Sequence, residues 1–340
     1  MSAHLYTMAR DVMPPGSSEL APLKAAYTGA AMTHLRCSAE LSHLASVLNP
    51  RAISWVVVKG PAVASLYPDP ALRTYGDLDV LVSRREFRTA VDLLESAGYA
   101  LLDRNWVRIT EARAGELHLR TPYGGILDLH WALSFHETTR DYFRIDTDAI
   151  LSRAIPMRGN GPTVLTADPE DTLIHLCVHA CASGGDRLIW LKDIERAIAR
   201  GVDWGEVIRR SAQWRCANAV ALMVSRAHRV LGAPVPPATM QALCPSWSWR
   251  TLTAGVDAVF PPERSSREAS PTRIVAHAVR ADTAASWREL ASRLWHIPGD
   301  IARRRLPGRG SADLMDDRGG QAERESYLSY VSGEDAGPLT

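Results

Sequence analysis

The stretch Trp55–Val82, WVVVKGPAVASLYPDPALRTYGDLDVLV, decides the fold of this chain. Its first residues are apolar and predict a buried strand, which ends in a tight turn at Gly60. A short helix and a loop follow, and the apolar run 78–82 predicts a second strand. Asp77 and Asp79 lie where this second strand begins. The stretch therefore predicts a strand–turn–helix–strand unit with two carboxylates at one end.

The two carboxylates suggest a metal site. Side chains two apart in a strand point to the same face, so Asp77 and Asp79 are expected to be neighbours. Neighbouring carboxylates repel and raise each other's proton affinity unless a cation lies between them. Asp128 lies in the apolar segment GILDLHW (125–131), where an unpartnered acid is costly. Together they predict a divalent metal site, most naturally for Mg²⁺, which takes oxygen ligands and leaves room for phosphates.

Each acid also has a purely structural explanation. Asp77 and Asp79 could be solvated acids at a strand end, and Asp128 could be a structural carboxylate paired with an arginine. The glycine turn upstream and the third acid downstream favour the metal site over these explanations, because functional sites collect such groups.

Three blocks, in this order, carry a family resemblance. They are KGPAVASLYPDPALRTYGDLDVLV (59–82), GGILDLHWAL (124–133) and DTLIHLCVHA with RLIWLKDIERA (171–180 and 187–197). They resemble the bacterial "nucleotidyltransferase family protein" group of the DNA polymerase beta-like nucleotidyltransferase superfamily, over roughly residues 45–236. The resemblance implies that Asp77, Asp79 and Asp128 are the catalytic and metal-binding triad, with one or two Mg²⁺ ions, or Mn²⁺ as the alternative ion. In it, the first two acids hold the metal on the triphosphate, and the third deprotonates or orients the attacking hydroxyl.

The turn departs from the superfamily pattern. Many members have Gly-Ser there, with the serine on the nucleotide phosphates, whereas here Pro61 follows Gly60. Proline removes both a hydroxyl and a backbone donor. Lys59, Gly60 and Arg73 are therefore the predicted nucleotide-binding residues. Lys59 could equally be a surface lysine, and Arg73 could instead pair with the aspartates.

Four further residues are possible substrate contacts. His130 shares a strand face with Asp128, although a structural hydrogen bond would explain it equally well. Asp171, His175 and His179 recur every four residues and so form one helix stripe. Zinc is the weaker interpretation of this stripe, because the glutamate of a His-Glu-x-x-His motif is absent.

Composition limits the partners. The 340 residues carry 39 Lys and Arg against 38 Asp and Glu, a net charge of +1, so there is no strong nucleic-acid signal. No apolar run reaches the length of a membrane span, so no membrane partner is expected. The five cysteines are odd in number and scattered, which fits a reduced, cytoplasmic protein.

The chain as a whole predicts an α+β fold. A loose N-terminus (1–19) precedes a nucleotidyltransferase-like domain (20–155) with a mixed sheet and flanking helices. An all-helical domain (156–300) and a mobile tail (301–340) follow. The predicted helices of the second domain are 169–182, 186–200, 204–231, 237–244 and 270–296.

The leading functional hypothesis is a magnesium-dependent nucleotidyltransferase. It would move a nucleoside monophosphate from an NTP such as ATP to a hydroxyl, phosphate or amine of a small-molecule or peptide acceptor. Three alternatives remain open: transfer of a sugar or sugar-phosphate from a nucleotide-sugar, an RNA-directed toxin-like enzyme, and an inactive nucleotide-binding or interaction module. Pro61 is the feature that favours the last of these.

Overall fold

A computed structural model describes residues 2–14, 16–157, 164–264, 270–303 and 314–333. The chain divides into two compact units. Unit 1 comprises Met1–His136, Thr147–Asp168 and Asp313–Thr340, and unit 2 comprises Glu137–Asp146 and Pro169–Ala312.

A seven-stranded mixed sheet lies in unit 1. Its strands are β1 (Trp55–Val57), β2 (Asp77–Val82), β3 (Ala100–Leu101), β4 (Glu116–Arg120), β5 (Ile126–His130), β6 (Ile155–Pro156) and β7 (Leu165–Thr166). Their spatial order is β3-β4-β5-β2-β1-β7-β6. The pairs β2–β5 and β1–β7 are parallel and the others are antiparallel. The central pair, β2 and β5, therefore comes from strands far apart in the sequence.

Helices make up most of the rest of the described chain. In order they are α1 (Ser2–Ala9), α2 (Leu20–Leu48), α3 (Pro61–Ala64), α4 (Phe87–Ser96), α5 (Trp106–Glu111), α6 (Glu137–Tyr142), α7 (Thr147–Ser152), α8 (Pro169–Ala182), α9 (Leu188–Ala199), α10 (Trp204–Gln213), α11 (Ala217–Leu231), α12 (Pro237–Leu243), α13 (Trp247–Val259), α14 (Pro271–Ala278), α15 (Thr283–Arg303) and α16 (Gln321–Ser332). The α+β prediction is confirmed.

The core of unit 1 holds the central strands in place. Apolar side chains of β2 and β5, among them Val80 and Leu129, are fully buried. Helix α4 contributes Phe87, Val91 and Leu94, whose spacing puts them on one face of the helix. This packing fixes the position of the acids that alternate with the apolar residues along β2 and β5.

Both ends of unit 1 differ from the sequence-based prediction. The N-terminus, predicted to be loose, contains α1, which packs on α2. The tail, predicted to be mobile, contains α16, whose Tyr327 is fully buried and donates a hydrogen bond to the Ala114 carbonyl oxygen at 2.8 Å. The reason is that long-range packing, which local composition does not reveal, supplies the apolar contacts of both helices.

The domain boundary also differs. Strands β6 and β7 belong to the sheet of unit 1, although the sequence assigned residues beyond 155 to the helical domain. Within the described ranges, unit 2 contains helices and no strand. Its interior includes Arg226, fully buried and paired with Asp257 at 2.9 Å. Every helix of the described ranges is too short or too polar to cross a bilayer.

Candidate active site

The turn after β1 requires a glycine. Gly60 has φ +49°, a left-handed conformation that side chains disfavour. A Cβ atom there would lie 3.1 Å from the backbone oxygen of Asp77. Pro61 is the first residue of α3, where a missing N–H is tolerated. The turn thus passes unusually close to the start of β2.

Strand register brings two of the predicted acids together. Strands β2 and β5 run parallel, with Asp79 opposite Asp128 and Asp77 opposite Ile126. Asp79, Asp128 and His130 each offer one ligand atom, and these three atoms lie within 4.8 Å of one another. Among the described residues, this group contains His130 where the sequence predicted Asp77. Asp77 is half-buried, and its negative charge acts on Lys59.

Asp79 is the most buried of the acids. Its side chain is only 2% exposed, and its Oδ1 contacts Lys59 Nζ at 2.5 Å and His130 Nε2 at 3.2 Å. Burial alone would raise the pKa of Asp79, but the Lys59 ammonium and the His130 hydrogen bond outweigh it and hold the pKa well below its usual range. Asp79 is therefore a charged carboxylate inside the protein.

Strand β4 adds charged groups that the sequence analysis missed. Glu116 lies opposite His130, and His118 lies opposite Asp128. Glu116 Oε2 contacts His130 Nδ1 at 2.7 Å, and Asp103 Oδ2 contacts His118 Nδ1 at 2.8 Å. The signal was present in the Glu-x-His alternation of a strand that a hairpin joins to β5.

These ion pairs shift the pKa values of both imidazoles upward. Burial lowers the pKa of His130, but Glu116 and Asp79 outweigh this and raise it to about 10. Burial likewise lowers the pKa of His118, but the hydrogen bond and charge of Asp103 raise it to about 9. Glu116 moves the other way, since burial raises its pKa but His130 lowers it to about 2. Near pH 7 both imidazoles are cationic in the metal-free protein.

Asp128 differs from the other acids. Burial, the largest effect, raises its pKa to about 7, and the nearby charge of Asp79 adds to the rise. Its Oδ1 is buried without a hydrogen-bond partner in the described chain, and His118 Nε2 is 3.8 Å away. A buried carboxylate oxygen without a partner is energetically unfavourable. A divalent cation held by Asp79 and Asp128 would satisfy it, and His130 would become a third ligand on losing a ring proton, so the residues present fit such an ion.

The remaining predicted site residues are Arg73 in unit 1 and the helix stripe in unit 2. Arg73 has its guanidinium 5.6 Å from the centre of the Tyr75 ring. In unit 2, Asp171 is fully buried and pairs with Arg210 at 2.9 Å, which gives it a structural role. Among the described residues, Asp171, His175 and His179 of the helix stripe form no metal-binding group. Substrate contact by this stripe stays a prediction.

Comparison with known proteins identifies a nucleotidyltransferase family. The model of a family described as "Uncharacterised nucleotidyltransferase" matches residues 2–232. No curated protein matches the chain. One matching solved structure is the Thermotoga maritima CCA-adding enzyme complexed with tRNA, at 10% identity over 99% of this chain and 96% of that chain. Its TM-score of 0.20 is too low to establish a common fold.

Proposed function

Because the chain belongs to the uncharacterised nucleotidyltransferase family, it is a transferase, and we propose that it moves a nucleoside monophosphate from an NTP to an acceptor. The acceptor group is a hydroxyl, phosphate or amine of a small molecule or peptide, and the cofactor is Mg²⁺. The acceptor atom bonds to the α-phosphorus, and the bond from that phosphorus to the pyrophosphate oxygen breaks. The proton of a hydroxyl or amine acceptor passes to a base, and pyrophosphate leaves.

The pairing of Asp79 with Asp128 carries this proposal. Two acids lie on neighbouring parallel strands, one charged and one with a buried oxygen that no residue of the described ranges hydrogen-bonds, and we take them as the anionic half of a cation site. If the two acids had only a structural role, Lys59 and His130 would be enough to neutralise Asp79, and Asp128 would not need a buried oxygen that no described residue hydrogen-bonds. Transfer of a phosphoryl-type group depends on charge neutralisation and positioning, and this arrangement supports both.

Each residue has a proposed role. Asp79 and Asp128 hold the metal ion, with His130 beside them and Asp77 as a further ligand at the start of β2. When bound, Mg²⁺ would neutralise the charge of the triphosphate and of the leaving pyrophosphate. Asp128 is also the proposed base that accepts the acceptor's proton, because a carboxylate within hydrogen-bonding reach of a hydroxyl can do so.

Nucleotide phosphates would meet the turn between β1 and α3. Gly60 lets the backbone approach closely, and Lys59 places an ammonium group beside the acids. Arg73, two residues from Tyr75, is a second proposed phosphate contact, because a guanidinium matches phosphate geometry. The nearly balanced charge of the chain, +1 overall, supports a small acceptor rather than a long polyanion.

A product-mass assay tests the proposed reaction. Purified protein is incubated with each NTP, Mg²⁺ and a metabolite extract, and pyrophosphate and new masses are recorded. We expect pyrophosphate release with an acceptor that gains one nucleoside monophosphate. Asp79→Asn should abolish it, and Asp11→Asn, the same change at an exposed acid, should not. A product that gains a hexose instead, or equal turnover by Asp79→Asn, would contradict the proposal.

A further inference from the structure

Lys59 occupies the place where a metal ion would act. Its Nζ lies 2.5 Å from Asp79 Oδ1, and the Lys59 side chain is 17% exposed. Among the described residues, Asp79 belongs to the one group that could hold a metal. The structure therefore shows this carboxylate already bound to a cation of the chain itself.

The ammonium and a divalent ion compete for the same carboxylate. An ammonium group 2.5 Å from Oδ1 leaves no room for a metal ion on that atom, and two cations on one carboxylate repel each other. His130 Nε2, 3.2 Å from the same oxygen, adds to the competition. Asp128 Oδ1 has no such competitor within hydrogen-bonding distance in the described chain. Binding of a metal ion at Asp79 Oδ1 thus requires Lys59 to move.

Lys59 has the means to move. Its ammonium is a point charge on a flexible four-carbon stem, unlike the planar fork of an arginine. It lies two residues after the end of β1 and precedes Gly60, whose conformation holds the turn close to Asp77. A nucleotide phosphate bound at this turn would offer the ammonium a new anionic partner.

On the basis of the proposed function, we propose that Lys59 is the resident cation of the metal-free site and transfers to a nucleotide phosphate when the metal ion binds. The divalent ion then enters together with the NTP rather than ahead of it. Metal and nucleotide therefore strengthen each other's binding, and this coupling is reciprocal. Metal alone binds weakly because the Lys59–Asp79 ion pair must first break.

Metal affinity without turnover tests the proposal. Free Mn²⁺ is measured by electron paramagnetic resonance, with and without a non-hydrolysable NTP analogue. In Lys59→Met, the affinity for Mn²⁺ alone should rise about tenfold, because the competing ion pair is gone. The gain in Mn²⁺ affinity that the analogue produces should shrink in the same variant. Lys24→Met, which makes the same change at an exposed position of α2, should match the wild type.

Two results separate this inference from the proposed function. If Mn²⁺ binds the wild type and Asp79→Asn abolishes that binding, the metal site stands. An unchanged or lower affinity in Lys59→Met would then overturn the role of Lys59 alone. If Asp79→Asn and the wild type bind Mn²⁺ equally, the metal site itself falls, and the Lys59 proposal with it. Lys59→Gln, which keeps a hydrogen-bond donor, replaces Lys59→Met if the latter does not fold.

Discussion

Asp79 and Asp128 lie on neighbouring strands, but their pKa values are shifted in opposite directions. Asp79 is charged and balanced by Lys59 and His130, so its burial is compensated. Asp128 has a buried oxygen that no described residue hydrogen-bonds, and its pKa is raised to about 7. The first carboxylate supports the metal-free fold, whereas the second is held in a position that the fold alone does not favour. Such positions are typical of functional sites.

This contrast predicts opposite effects of the same substitution in metal-free protein at pH 8. Asp79→Asn should lower the free energy of unfolding by about 1–3 kcal/mol, because Lys59 and His130 lose their partner. Asp128→Asn should leave it unchanged or raise it by up to about 2 kcal/mol, since it removes a buried charge. Chemical denaturation with a metal chelator present gives both values.

The size of the second effect depends on pH. A carboxyl whose folded pKa lies above its unfolded value contributes stability that is full below the unfolded pKa and is lost as pH rises through the folded pKa. The gain in the free energy of unfolding that Asp128→Asn produces should therefore be largest above about pH 7 and decrease toward pH 4. Both variants should still lose transferase activity. Equal destabilisation by the two substitutions at pH 8 would contradict this account.

Among the site residues, the positions of Asp79 and Asp128 were the most predictable from the sequence. The sequence placed both acids on strands, and the structure puts them opposite each other. His130 was identified only as a possible substrate contact, although its ring joins the acid group. Glu116 and His118 were missed because cross-strand partners depend on the register of a third strand. Single-sequence periodicity gives the face of a residue but not its neighbour across the sheet.

At the scale of elements, the turn between β1 and α3 carries Lys59 and is sterically constrained at Gly60. Gly60→Ala should destabilise the protein by about 1–2 kcal/mol, because an alanine disfavours φ +49° and its Cβ meets a backbone oxygen. Gly29→Ala, in the middle of α2 with nothing within 4 Å, should instead stabilise by about 1 kcal/mol. Thermal unfolding of both variants checks the pair. A neutral Gly60→Ala would show that the turn is not constrained.

Helix α16 is a second element with a specific prediction. Tyr327 donates to the Ala114 carbonyl at 2.8 Å and accepts from Trp131 Nε1 at 3.1 Å, and Arg84 Nε donates to the Val331 carbonyl at 2.5 Å. Because Trp131 directly follows β5, α16 supports the strand that carries Asp128. Ending the chain at residue 313 should lower the free energy of unfolding by several kcal/mol, because the buried side chains of Tyr327, Leu328 and Val331 are lost.

A shorter truncation provides the control. Ending the chain after Gly333 keeps every described contact of α16, so stability and activity should match the full chain. Tyr327→Phe should cost about 1–1.5 kcal/mol, because it removes one hydroxyl from a buried network. Full stability in a chain that ends at residue 313 would show that α16 is dispensable.

Helix breaks were the least predictable elements. The sequence predicts one helix over 204–231, whereas the structure has α10 and α11, with Arg215 in a left-handed conformation (φ +59°) between them. No glycine or proline marks this break. The backbone N–H of Cys216 bonds the Ser211 carbonyl, and the Trp214 carbonyl accepts from the Arg144 N–H. One local bond and one from a residue distant in sequence, Arg144, therefore accompany the bend.

At the scale of the whole molecule, the fold class was predictable and the chain path was not. Alternation of strand and helix patterns, followed by helices alone, gives the α+β class. The predicted domain boundaries differ from the observed ones because the chain returns to unit 1 twice, at Thr147–Asp168 and at its C-terminal end. The segment Glu137–Asp146 belongs to unit 2. A returning segment looks like a linker or tail in the sequence, since its apolar partners lie far away along the chain.

The most direct test of the central claim is a thermal-shift screen with ATP, GTP, CTP and UTP, each with and without Mg²⁺. A ligand at about a hundred times its dissociation constant adds roughly 2.7 kcal/mol of stability, which is readily measured. We expect at least one NTP to raise the melting temperature only when Mg²⁺ is present. Asp79→Asn and Asp128→Asn should lose that shift, and Asp11→Asn should keep it. A shift that needs no metal ion, or one that persists in both site variants, would contradict a metal-dependent nucleotide site at Asp79 and Asp128.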